Sequence, residues 1–168
     1  VQIDLERVKH HPIHVEGVVE LPRVADENPQ VQRIEPVSVQ VDVDIKEEQY
    51  SLRGSVKATV EYVCSRCLEP YSARLETEFE ESVTETEAAT VPGESVAGRP
   101  TKLLWLDPYV EEAVNLALEY RPLCREDCRG LCVECGCNLN EHQCHCDTRR
   151  VDPRLAVLAD LLSKDDSE

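Results

Sequence analysis

Hydrophobic and polar residues alternate without a miss from Val37 to Ile45. Val37, Val39, Val41, Val43 and Ile45 fall on one face, and Ser38, Gln40, Asp42 and Asp44 on the other. A repeat of two is the period of a half-buried strand, because successive side chains leave opposite faces of the pleat. Residues 46–49 are polar and read as a turn. The alternation resumes with Leu52, Val56, Ala58, Val60 and Tyr62 against Arg53, Lys57 and Glu61. After Cys64-Ser65-Arg66-Cys67 and Pro70 it returns with Tyr71, Ala73, Leu75, Thr77 and Phe79 against Arg74, Glu76, Glu78 and Glu80. Three such runs predict an antiparallel meander whose second turn carries two cysteines. An earlier strand is expected around Ile13 to Leu21, packed on the same sheet.

The period is lost at TETEAATVPGESVAGRP, residues 84–100, which has turn and linker composition. Leu103 to Leu106 can add a short edge strand. Asp107-Pro108 then reads as an N-cap followed by proline at the first helical position, with Glu111 and Glu112 in the opening turn. Val110, Ala113, Val114, Ala117 and Leu118 lie on one helical stripe, and Pro122 stops that helix. A second start at Asp152-Pro153 opens a short helix with Leu155, Leu158, Ala159 and Leu162 on one face, before an acidic tail. The predicted class is α+β: an antiparallel β-meander or partly closed sheet, two short helices and a C-terminal zinc-knuckle segment. In chain order these are a β domain over 1–106, a packing helix over 107–122, a cysteine-rich segment over 123–150, and a final helix with its tail over 151–168.

Eight of the nine cysteines form short-spaced pairs: Cys64/Cys67, Cys124/Cys128, Cys132/Cys135 and Cys144/Cys146. Two thiolates a few residues apart reach one ion from a single turn, so four pairs make the ligand set for two tetrahedral zinc ions. Cys64 and Cys67 join two strands and are not followed by a helix, which fits a zinc knuckle better than a redox pair at a helix N-terminus. Gly136 follows Cys135 and can take the positive φ that a knuckle uses. Joining Cys132/Cys135 to Cys144/Cys146 closes a short loop, leaving Cys124/Cys128 to meet Cys64/Cys67. That pairing ties the C-terminal segment to the sheet's hairpin. Exchange of Cys124/Cys128 with Cys144/Cys146 stays open, as does ligation by His142 or His145. Cys137 has no assigned role. Cys128, Cys132 and Cys135 also have the C-x3-C-x2-C spacing that holds a four-iron cluster in radical enzymes, but the short chain has no room for their barrel.

With only 4% aromatic residues, a core of valine, leucine and alanine benefits from metal staples. The net charge of −16 repels phosphate backbones and excludes general nucleic-acid binding. The exception is local. Arg121, Arg125, Arg129, Arg149, Arg150 and Arg154 flank the cysteines and offset the carboxylates there, giving a candidate RNA surface. No apolar run approaches the ~20 residues of a membrane helix. Without a visible leader, a cytoplasmic location is expected, where cysteine means metal more often than disulfide. Thiolate sets that fill a zinc ion leave no open position for a substrate water, and no nucleophile elbow or phosphate loop occurs; a non-enzymatic protein is expected.

Cys64-Ser-Arg-Cys67-Leu between strands, Leu123-Cys124, Asp127-Cys128-Arg-Gly130-Leu131-Cys132, Cys135-Gly136, Asn138-Leu-Asn140, Cys144-x-Cys146 and Asp152-Pro153-Arg154-Leu155 together carry a family resemblance. The chain resembles the YceD-like family, the large ribosomal RNA subunit accumulation proteins, from roughly Ile3 to Leu162. The resemblance implies a non-enzymatic factor for processing or accumulation of large-subunit ribosomal RNA. It also implies precursor large-subunit RNA or an assembly intermediate as partner, with a gene neighbour encoding a small basic ribosomal protein. The alternative is an acidic module that shields such a basic protein, using the carboxylates between Glu76 and Glu87, a stretch without Lys or Arg.

Overall fold

The strictest alternation in the sequence builds the centre of the sheet. In the computed structural model, which describes residues 1–46, 49–84 and 103–147, β4 (Val37–Lys46) pairs antiparallel with β5 (Gln49–Val63). The long strand β5 pairs in turn with β6 (Pro70–Val83). Val37, Val39, Val41 and Val43 are at most 2% exposed, and they share one face with buried Leu52, Val56 and Val60 of β5. A slip of one residue would turn every one of these valines to solvent, so burial fixes the register. The meander of the sequence reading is therefore present. The expected earlier strand is β2 (Ile13–Val19), antiparallel to β4.

The sheet is open, not partly closed as the strand pattern suggested. Strands β2 and β6 lie on opposite sides of β5, each with one strand partner, and no pairing joins them among the described residues. A short strand that the sequence did not announce, β3 (Val31–Ile34), pairs with Val60–Tyr62 of β5, beyond the stretch that β4 occupies. It extends the β4 side of β5 and bridges nothing.

One face of the sheet is buried. Against it lie α1 (Leu5–Val8), α2 (Pro22–Glu27) and α3 (Asp107–Ala117), contributing Leu5, Val8, Val24, Val110 and Val114 to a single apolar cluster. The helix α3 opens one position earlier than its Asp-Pro start implied. Leu106 occupies the cap position without a side-chain bond, and Asp107 is already helical. It ends at Ala117, short of Pro122, because Leu118 has turned to extended backbone. The stretch after the linker forms β7 (Leu103–Trp105), which pairs with an unforeseen β1 (Gln2–Asp4) in a separate two-stranded ribbon.

The chain divides into two compact units, Val1–Ser65 with Glu69–Cys124, and Arg66–Leu68 with the chain from Arg125 onward. Most of the 84–100 linker and the expected helix over 151–168 lie outside the described residues. Among the described residues no helix is long and apolar enough to cross a membrane.

Leu52 is fully buried within β5, whereas Glu78 on β6 is exposed. Leu52→Ala is expected to lower unfolding free energy by about 2–5 kcal/mol, and Glu78→Ala by no more than about 0.5 kcal/mol, as measured by urea titration.

Candidate metal centre

The two C-x2-C segments fold into the same turn. The amide of Cys64 donates to the Glu69 carbonyl at 3.0 Å, and the amide of Cys132 donates to the Cys137 carbonyl at 2.9 Å. Flanking them, Val63 pairs with Pro70 and Leu131 pairs with Asn138. In each turn the residue after the second cysteine takes left-handed backbone: Leu68 at φ 60° and Gly136 at φ 72°. Glycine does this without steric cost, while leucine is held there against it. This equivalence explains Cys137. It occupies the place that Glu69 holds in the first turn, one residue beyond the left-handed position, and so is not the counterpart of any ligand.

The turns deliver their sulfurs to two groups. Cys64, Cys67, Cys124 and Cys128 form one, and Cys132, Cys135, Cys144 and Cys146 the other, with the sulfur atoms of each group all within 4.8 Å of one another. Tetrahedral zinc with four sulfurs at about 2.3 Å separates them by about 3.8 Å, so each group fits one such ion with little movement. This is the grouping that the shorter loop favours, and the exchanged pairing is not the one observed. Cys128 falls in a different group from Cys132 and Cys135, which removes the C-x3-C-x2-C iron–sulfur reading. None of the nine cysteines is joined in a disulfide. Neither His142 nor His145 belongs to either group; both are exposed.

The two groups differ in surroundings. Cys64, Cys67 and Cys128 are buried and Cys124 half-buried, whereas Cys135 and Cys146 are exposed in the second group. Backbone N–H groups of Cys135 and Glu134 draw the Cys132 thiol down to about 6. Hydrogen bonding to the Cys135 thiol, then burial, pushes Cys146 up to about 12. The same causes, with the Cys135 thiol first, raise Cys137 to about 12. One sulfur of the group is thus ready to be a thiolate while a neighbour resists a second negative charge. Four anionic sulfurs at this spacing require a cation among them.

Three residues outside the cysteines hold this geometry, and the sequence reading gave none of them a role. Asn140 donates through Nδ2 to Cys128 Sγ at 3.3 Å, while its Oδ1 accepts from the Arg129 amide at 2.8 Å. It thereby orients a ligand from the outer shell. Arg66, inside the first knuckle, donates from Nη1 to the Cys128 carbonyl at 2.8 Å, and its own carbonyl accepts from the Leu131 amide at 3.1 Å. Gly130 has φ +76°, and a Cβ there would sit 2.9 Å from the Arg66 carbonyl oxygen. The sequence signals were the Asn-Leu-Asn and Arg-Gly-Leu steps beside the cysteines.

Of the six arginines read as a nucleic-acid surface, Arg121, Arg125 and Arg129 are exposed, and Arg125 pairs with Asp127 at 3.5 Å. Arg149, Arg150 and Arg154 lie outside the described residues.

Residues 52–162 match the family model described as large ribosomal RNA subunit accumulation protein YceD. An uncharacterized protein of Mycobacterium tuberculosis is 33% identical over 129 residues, covering 73% of this chain and 62% of the relative. One from Mycobacterium leprae is 30% identical over 146 residues, covering 77% and 61%. The large ribosomal RNA subunit accumulation protein YCED homolog 1, chloroplastic, of Arabidopsis thaliana is 25% identical over 155 residues, covering 75% and 48%. The chain thus spans less than two thirds of the length of these relatives. No solved structure matches it.

Elemental analysis of the purified protein is expected to give one divalent ion per four-thiol group, unchanged in Cys137→Ser and reduced by one in Cys135→Ser. Asn140→Ala is expected to weaken metal retention at the Cys128 group about 10–100-fold in a chelator competition. Gly130→Ala is expected to cost more than about 1 kcal/mol of stability in urea titration, because its backbone excludes a side chain.

Proposed function

The chain belongs to the large ribosomal RNA subunit accumulation protein YceD family, and from that premise we propose a non-enzymatic, cytoplasmic ribosome-biogenesis factor. It supports processing and accumulation of large-subunit ribosomal RNA by associating with precursor RNA or an assembly intermediate. The observation that carries the reading is the family match across residues 52–162, together with plant relatives named for large ribosomal RNA subunit accumulation.

The metal is proposed to be zinc, one ion in each four-cysteine group. Four thiolates saturate tetrahedral zinc and leave no coordination site for a substrate, which supports a structural use of the metal. Cys64, Cys67, Cys124 and Cys128 would hold one ion, and Cys132, Cys135, Cys144 and Cys146 the other. The metal would fix the loop that carries Arg125 and Arg129, whose guanidinium groups suit bidentate contact with phosphate. Arg121, Arg149, Arg150 and Arg154 complete the proposed RNA-contacting set. Between residues 121 and 154 these six arginines offset six carboxylates, which reconciles phosphate contact there with a chain of net charge −16.

Sedimentation of cell extracts tests this reading. The protein is expected to travel with large-subunit precursors at low salt, and Arg149→Ala with Arg150→Ala to weaken that association and flatten its salt dependence by about one unit of slope per lost contact. A protein that stays at the top of the gradient at every salt concentration would not have this function.

A further inference from the structure

A groove lies beside the edge strand β6. Strand β6 pairs with β5 along one side, and its other side has no strand partner among the described residues. Next to that side, between β6 and α3, runs a groove of about 270 Å³. Its apolar lining includes Phe79, Ala113 and Leu116, and Leu116 is 82% exposed. Glu78, Glu81 and Glu112 line it as well, and among the described residues no Lys or Arg does. The fourth carboxylate, Glu80, is already paired with Arg53 at 2.8 Å. The other three have no ion-pair partner among the described residues.

An unpaired edge offers a row of backbone donors and acceptors, and proteins leave such edges open at the risk of self-association. Here the charge answers what can add to it. A second copy of the same edge would bring glutamate against glutamate, and a nucleic acid would bring phosphates to the same carboxylates. A lysine- or arginine-rich strand is the one complementary occupant. We propose that the outer edge of β6 and the groove under α3 accept an extended segment of a basic protein as an added strand. Alternate side chains of an added strand point to opposite faces. One set would therefore place cations near Glu78, on the polar face of the sheet. The other would place an apolar residue in the groove over Phe79 and Leu116, beside Glu81 and Glu112. The proposal requires neither the metal nor the RNA reading to hold.

The test uses the whole chain and a synthetic peptide of alternating lysine and valine, with binding followed by fluorescence anisotropy. Three comparisons are decisive: a block-ordered peptide of the same composition, the alternating peptide with every second amide N-methylated, and single-stranded RNA as competitor. The alternating peptide is expected to bind at least tenfold more tightly than the other two peptides, and RNA is expected not to displace it. Glu78→Lys with Glu81→Lys, and separately Leu116→Asp, are each expected to weaken binding at least tenfold. All three positions are exposed, and circular dichroism verifies that the variants fold. Equal binding of the three peptides would reduce the effect to nonspecific polyanion attraction and overturn the proposal. So would displacement by RNA, or variants that bind as well as the parent chain.

Discussion

Four sulfurs within 4.8 Å of one another can all be anionic only when a cation sits among them. As thiols they crowd without satisfying each other, since S–H is a weak donor and sulfur a weak acceptor. As thiolates they repel. A divalent ion removes the conflict, and two such groups use eight of the nine cysteines. The core supports this dependence. It is built from valine and leucine with few large rings, and the segment after Cys124 has little regular structure of its own among the described residues. Small units of this kind are commonly held together by metal.

The two knuckles are one device used twice. Each makes the same backbone closure from the first cysteine, and each places a left-handed residue directly after the second. In the second knuckle backbone amides aim at Cys132 and favour its thiolate. The remaining ligands come from dissimilar stretches, Cys124-x3-Cys128 and Cys144-x-Cys146, so the resemblance between the sites is confined to their knuckles. Asn140 donates to Cys128 in one group while sitting in the loop between Cys135 and Cys144 of the other. Changes at this one asparagine therefore bear on more than its own turn.

The central strands were legible because burial on one face leaves an unbroken period of two, as from Val37 to Ile45. The cysteine groups were legible because paired spacing and loop length restrict which sulfurs can meet. Other features left weaker traces. The elements β1, α1, α2 and β3 span three to six residues each, too short for a period to emerge. Whether the sheet closes depends on which strands neighbour β5, and β3 adds to the β4 side without any pattern that says so. Both C-x2-C turns were legible as knuckles, but the left-handed position of the first was hidden because Leu68 stands where the other has Gly136. The cap at α3 moved by one residue because Leu106 is drawn into the core, fully buried, and the helix starts directly after it.

X-ray absorption at the metal edge of the purified protein tests the central claim most directly. The account predicts a zinc edge with a single shell of four sulfurs at about 2.3 Å, and the same shell in Cys137→Ser. An iron edge with metal–metal scattering, or a first shell dominated by nitrogen and oxygen, would contradict it.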